Sequence, residues 1–286
     1  MRKKINVIIV HGIGKPSPGY AQKLIKGLTE KFNLALQERL QTTENQSYNI
    51  VIREIIWDDV LAVNQDKLAV LLKKGFVDHR PKGFRAFASK MFSFVTAPIF
   101  RLRTDFAAES ISDIIGYKNS DAYPKIQERI KSVLSSMEDS SAMPGEKQYM
   151  SIIAHSLGTV IASDFVYDEL KAHHIFHKWF LFSNFFTLGS PIALFALQYG
   201  IELFKSPIRL EYKEGQWINI FDLDDPVAYP LKNLNEAYDA AVHVDQEVNT
   251  GGFGVSHTRY FDNQDVQNII AQKLALDYLR INGRIV

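Results

Sequence analysis

The chain has no cysteine in its 286 residues, which excludes disulfides, thiolate metal ligands and a cysteine nucleophile, and fits a reducing compartment. Net charge is nearly absent as well, +1 from 33 basic and 32 acidic residues, so no whole-molecule field recommends nucleic acid as a partner. Nowhere are there the roughly 18 to 20 consecutive apolar residues that a membrane-spanning helix needs. Met1 to Lys4 followed by Ile5 to Val10 imitates an export signal, but His11-Gly12 ends the run, and the segment reads as a strand. His11 has no spaced carboxylate or His-x-x-x-His partner that would suggest a metal site, and no cofactor is expected. With 46% hydrophobic and 23% charged residues and no internal repeat, the composition is that of a globular protein, expected in the cytoplasm.

What is present is an alternation. Apolar runs bounded by turn residues alternate with longer helix-period segments, the pattern of a mostly parallel sheet flanked by helices, so the fold class is α/β. Strands are expected at 5–10, 49–57, 150–154, within 179–188, at 217–221 and over 241–248. Helices are expected at about 20–40, 159–170 and 265–280. Between about 60 and 145 strand signal is scarce, and Ile114, Ile126, Ile130, Val133 and Leu134 are spaced for helix faces. The expectation is a single domain over 1–286 with a helical cap inserted at about 60–145.

The strongest local signal is Met150 to Ala154 running through His155 into Ser156-Leu157-Gly158 and then a helix-compatible stretch. A strand that turns sharply into a helix at a serine needs small residues two before and two after it, and Ala154 and Gly158 meet that need. Taken alone, such a serine also suits a helix cap. The loop after the first strand, His11-Gly12-Ile13-Gly14, places glycines where main-chain amides can face a developing oxyanion. Ile13 and Leu157 are the candidate oxyanion donors, through their N–H groups. The same loop does not match a phosphate cradle, because Pro16 follows Lys15 and no Gly-Lys-Ser/Thr opens a helix.

A serine in this setting needs a base and an acid further along the chain. Asp222, Asp224 and Asp225 end the strand at 217–221; Asp225, before Pro226, is the first choice of acid and Asp222 the second. Among the downstream histidines, His173, His174 and His177 lie in or after the helix that follows Ser156 and point away from it. His243 falls within an expected strand. His257 follows Gly251-Gly252-Phe253-Gly254 in a loop before the last helix and is the candidate base. His155 is expected to be structural or substrate-lining, because neighbouring side chains on a tight turn diverge, and His11 is expected to brace its loop.

These stretches, with Thr187-Leu188-Gly189-Ser190-Pro191, Asp225-Pro226-Val227-Ala228-Tyr229 and Ser256-His257 plus Tyr260, resemble the α/β-hydrolase lipase and esterase superfamily. The last three look most like the DDHD-type intracellular phospholipases and related bacterial hydrolases. Together the matches run from the first strand to the last helix, except the cap. The resemblance implies an α/β-hydrolase fold and a Ser156–His257–Asp225 triad acting without metal on carboxyl esters, lipid or phospholipid acyl esters among them. Thioesters and amides are served by the same triad, and a non-catalytic lipid- or partner-binding protein on this scaffold is the alternative of another class. Ala154 departs from the glycine or serine usual at its position.

Nine basic residues against one acid, Asp78, fall between Lys67 and Arg103, around the aromatic stretch Phe84 to Val95. A cationic aromatic cap suits peripheral contact with an anionic membrane surface. The same aromatics suit, somewhat better, the core of the cap or an acyl pocket, with the lysines as a solvated face.

Overall fold

In a computed structural model of the chain, the residues described are 3–12, 16–57, 59–60, 122–137, 146–172, 179–200, 207–252 and 255–285. Two compact units result: one from Met1–Gly12, Ser17–Ile55 and Lys131–Val286, the other from Ile13–Pro16 and Ile56–Ile130. Most of the expected cap, including the whole of 67–103, lies outside the described residues.

The first unit is a six-stranded, all-parallel sheet: β1 Ile5–Val10, β2 Ile50–Ile55, β3 Gln148–His155, β4 Phe180–Leu188, β5 Trp217–Phe221 and β6 Val244–Glu247, in the order β2-β1-β3-β4-β5-β6. Strands β1, β4 and β5 are buried on both faces, which accounts for their near-continuous apolar sequences, whereas the edge strands β2 and β6 are only partly buried. The order in which successive strands are added reverses between β1 and β3, β2 lying on one side of β1 and β3 to β6 on the other. In open parallel sheets the crevice at the carboxyl ends of the strands at such a switch point is where ligands bind.

Helices cover both faces, and one of them, α4, Ile192–Tyr199, follows β4. On one side α1, Gln22–Leu40, and α6, Gln264–Ile281, bury Leu24, Leu28, Phe32, Ile270, Leu274 and Tyr278 against Ile5, Val7, Ile9, Ile153 and Phe186. The alternate residues of β1 share that side, as a period of two requires. The start of α1 is capped from a distance: Glu54 on β2 accepts from the N–H of Ala21 at 2.6 Å and of Gly19 at 2.9 Å. Asn263 caps α6 through the N–H groups of Asp265 and Val266.

The second unit contributes a helix of the expected period, α2, Ala122–Ser136, with Ala122, Ile126 and Ile130 buried; the helix runs on into the first unit. Arg129 binds the Ile56 carbonyl at 3.0 Å and Asp59 at 2.9 Å. No described helix is long and apolar enough to cross a membrane.

One boundary departs from the sequence reading. The strand expected over 241–248 begins only at Val244, because Asn235 accepts from the Tyr238 N–H and caps a short helix, α5, Glu236–Ala241, that uses up the first residues. His243 therefore precedes β6 instead of lying within it.

Candidate active site

Parallel strands deliver their carboxyl ends to one edge of the sheet, so residues distant in sequence meet there. Gly12 leaves β1, Ser156 leaves β3, Gly189 leaves β4, Asp222 to Asp225 leave β5, and the loop of His257 follows β6.

Ser156 sits in the turn between β3 and α3, Leu157–Ala172, with φ +53°, in the left-handed region that a side chain ordinarily avoids. Its N–H is held by the Leu188 carbonyl at 3.0 Å, and its carbonyl accepts from the Thr159 N–H at 2.9 Å and hydroxyl at 2.7 Å. The tightness of the turn is visible at Gly158, where a Cβ would fall 2.3 Å from the His11 carbonyl oxygen, and at Gly12, where one would fall 2.5 Å from Ser156 Cβ. The loop leaving β1 thus passes directly against the serine.

His257 Nδ1 lies 2.8 Å from Asp225 Oδ2, and Nε2 lies 2.9 Å from Ser156 Oγ. A carboxylate only accepts, so Nδ1 carries the proton, and Nε2 of the neutral ring is left as the acceptor for the serine hydroxyl. All three residues are buried. Burial by itself would raise the Asp225 carboxyl. The hydrogen bond and positive potential of His257, the Val227 N–H and the Tyr260 hydroxyl outweigh it and hold the group below the usual carboxylate range.

Asp222 faces elsewhere. Its Oδ2 accepts from the Thr250 N–H and hydroxyl, and its Oδ1 accepts from the Asp224 N–H. Ser256 in turn donates to the Asp224 carbonyl at 3.0 Å, so the loop of the acid and the loop of His257 are pinned to each other. His243 accepts from the Trp217 N–H at 3.1 Å at the opposite end of β5. His173, His174, His177 and Ile13 lie outside the described residues. Leu157 opens α3, so its N–H is among those the helix leaves without an internal partner.

His155 lies closer to this group than divergence on a tight turn suggests. Its Nε2–H donates to the His257 carbonyl at 2.7 Å, and the two rings stand 5.0 Å apart. Desolvation, and after it the neighbouring His257, push its imidazole down to about 3, so the ring is neutral near pH 7. His11 donates from Nδ1 to the Gly12 carbonyl at 2.6 Å and meets Tyr20 edge-on. Thr250 and the hydroxyl of Tyr260 are further members that the sequence reading assigns no task. Thr250 carries no local signal, because its partner Asp222 is 28 residues away. Among the described residues no three His, Asp or Glu side chains gather as metal ligands would.

No protein-family model matches the chain, and no curated protein does. Among solved structures the chain is similar to a cutinase-like protein from Cryptococcus sp., at 12% identity and a TM-score of 0.40, over 96% of this chain and 95% of that one. It is also similar to a dienelactone hydrolase from Anabaena variabilis, at 11% identity and a TM-score of 0.34, over 98% and 86%. Both likenesses are remote. The all-parallel strand order, the strand–turn–helix that carries Ser156 and the order serine, aspartate, histidine along the chain make this the α/β-hydrolase fold.

Proposed function

We propose that the protein is a serine hydrolase of carboxyl esters, with Ser156 as nucleophile, His257 as general base and then general acid, and Asp225 as the orienting carboxylate. The observation that carries this reading is the continuous relay from Ser156 Oγ through His257 to Asp225, at 2.9 and 2.8 Å, around a serine held at φ +53°.

In the proposed reaction His257 Nε2 takes the hydroxyl proton as Ser156 Oγ attacks the ester carbonyl carbon. The tetrahedral oxyanion is stabilised by the Leu157 N–H, with Ile13 as the second donor that the sequence suggests. His257 returns the proton to the leaving alcohol, and the acyl-enzyme forms. Water, activated by the same imidazole, then releases the acid and restores Ser156. Asp225 keeps the imidazole in the Nδ1–H tautomer and stabilises its charged form. No step calls for a metal or cofactor.

Lipid and phospholipid acyl esters are the proposed substrates, on the motif resemblance at Leu188 to Pro191, Asp225 to Tyr229 and Ser256 to Tyr260. The test is labelling with a fluorophosphonate, which reacts with an activated serine. Ser156 of the intact protein should be modified and the Ser156→Ala variant should not. An unlabelled wild-type protein of intact fold would remove the hydrolase reading and favour a binding role. A panel of ester, thioester and amide substrates then fixes the bond cleaved.

A further inference from the structure

The Tyr260 hydroxyl stands between two partners whose chemistry fixes its proton. The Asp222 N–H can only donate, so at 3.0 Å the phenol oxygen accepts from it. The other contact, 2.9 Å to Asp225 Oδ2, is then the bond the phenol donates. That oxygen is the same one that takes the His257 Nδ1–H at 2.8 Å, so two donors share it. Tyr260 is fully buried.

The wall opposite this meeting point is Gly189, at φ +56°. A Cβ there would fall 2.7 Å from the Tyr260 ring, 3.1 Å from Asp225 Oδ2 and 3.3 Å from His257 Nδ1. The glycine leaves the space in which phenol, carboxylate and imidazole converge. Phenylalanine would fill the same apolar volume, so packing alone does not explain a hydroxyl at this point.

We infer that Tyr260 is a positioning residue, whose hydroxyl holds Asp225 Oδ2 in place and draws off part of its charge, limiting how strongly the carboxylate grips the His257 imidazole. This rests on the hydrolase reading above for its consequence in catalysis, but not for its physical content. An acceptor oxygen polarised by a second donor gives less to the first. Without the phenol hydrogen the His257–Asp225 bond tightens and the imidazolium is favoured. The serine is then activated only at higher pH. The other groups facing this joint are Tyr229, whose phenol feels the Asp225 charge, His155 and, behind it, His11; the Asp222 carboxylate is occupied by Thr250.

Two variants test it from opposite sides. Tyr260→Phe removes the donor, and 3-fluorotyrosine placed at position 260 keeps the shape while making the hydroxyl a stronger donor. Both are read by the downfield proton resonance of His257 Nδ1–H at fixed pH, and by the acid limb of kcat/KM for p-nitrophenyl acetate. Tyr260→Phe should move the resonance further downfield and the acid limb up by roughly one pH unit, the scale of a lost hydrogen bond to a charged group. The fluorinated protein should move both the other way. A resonance and acid limb unmoved in either folded protein, with only melting temperature or overall activity lowered, would overturn the inference and leave Tyr260 a packing residue. The resonance needs no turnover, so a wild-type protein that fails to cleave the ester counts against the hydrolase reading while Tyr260 is still decided. Should Tyr260→Phe not fold, the isosteric fluorinated protein decides alone.

Discussion

Thr250 meets Asp222 Oδ2 twice, through its N–H at 2.6 Å and its hydroxyl at 2.7 Å. The second of the two candidate acids is thereby committed to anchoring the loop that carries His257, while Asp225 alone faces the imidazole. Asp225→Asn should therefore lower hydrolysis far more than Asp222→Asn, because the amide favours the wrong imidazole tautomer. Asp222→Ala should instead lower stability by about 1 to 3 kcal/mol, since it leaves the buried Thr250 N–H without its acceptor, while the Thr250 hydroxyl keeps the Ser256 carbonyl at 2.9 Å. Ester kinetics beside urea denaturation would separate the two effects, and equal kinetic losses would mean the acid is misassigned.

Ser156→Ala should remove ester hydrolysis by a factor of roughly 10⁶ with the fold retained, since members of such a relay act as a unit. His257→Ala should be nearly as damaging and His243→Ala nearly harmless. Ser156→Gly should be as inactive yet more stable than Ser156→Ala by roughly 1 to 2 kcal/mol, because only glycine relieves the left-handed backbone at φ +53°. Melting temperatures of the two variants check this, and residual activity within about tenfold of wild type in either would remove Ser156 as nucleophile.

Acid should destabilise the protein in two windows. His155 titrates at about 3 in the fold against 6.5 ordinarily, so the unfolded chain binds more protons in between. Stability from this group falls as pH drops from 6.5 towards 3, by at most about 1.4 kcal/mol per pH unit. Asp225 is depressed in the fold, so its contribution is present above the ordinary 3.8 and is lost as pH falls through the lower folded value. His155→Gln, which keeps a donor for the His257 carbonyl, should flatten the first window and spare the second. Urea midpoints measured at neutral pH and near pH 4 would show an unchanged slope if His155 is not the group responsible.

On α6, Lys273 and Asp277 form a buried ion pair at 2.5 Å, with Lys273 also on the Glu214 carbonyl and Asp277 on Asn184. Burial pushes the lysine down and the aspartate up, and their mutual attraction opposes both shifts. Lys273→Met should cost about 3 to 5 kcal/mol by stranding Asp277, and Lys273→Met with Asp277→Leu should recover part of that loss. A double variant less stable than the single one in chemical denaturation would contradict this account.

The basic aromatic segment 67–103 is proposed to dock on anionic membranes. Sedimentation with vesicles should rise with anionic lipid content and fall with salt. Replacing Lys82, Arg85 and Lys90 by glutamate should reduce vesicle binding and lipid-ester turnover but spare a soluble short-chain ester. Equal binding to neutral and anionic vesicles, or equal losses on both substrates, would favour aromatics that simply pack within the cap.

Sheet strands that are buried on both faces announce themselves as short apolar, β-branched runs, and this is why β1, β3 and β5 are legible without coordinates. The small residues at Ala154 and Gly158 mark the turn at Ser156 for the same local, steric reason. Where the chain is polar and short the signal fails: the capped helix at Glu236–Ala241 displaces the start of β6 because one Asn235 hydrogen bond outweighs a weak strand pattern. The choice between Asp222 and Asp225 belongs to tertiary structure, since each aspartate suits the loop and only the arrival of Thr250 and His257 from beyond β6 assigns their partners. His155 and Tyr260 are alike in this. Adjacency along the chain gives no direction to a side chain, and the bonds from His155 to the His257 carbonyl and from Tyr260 to Asp225 span 102 and 35 residues. They exist because parallel strands bring all their carboxyl ends to one edge.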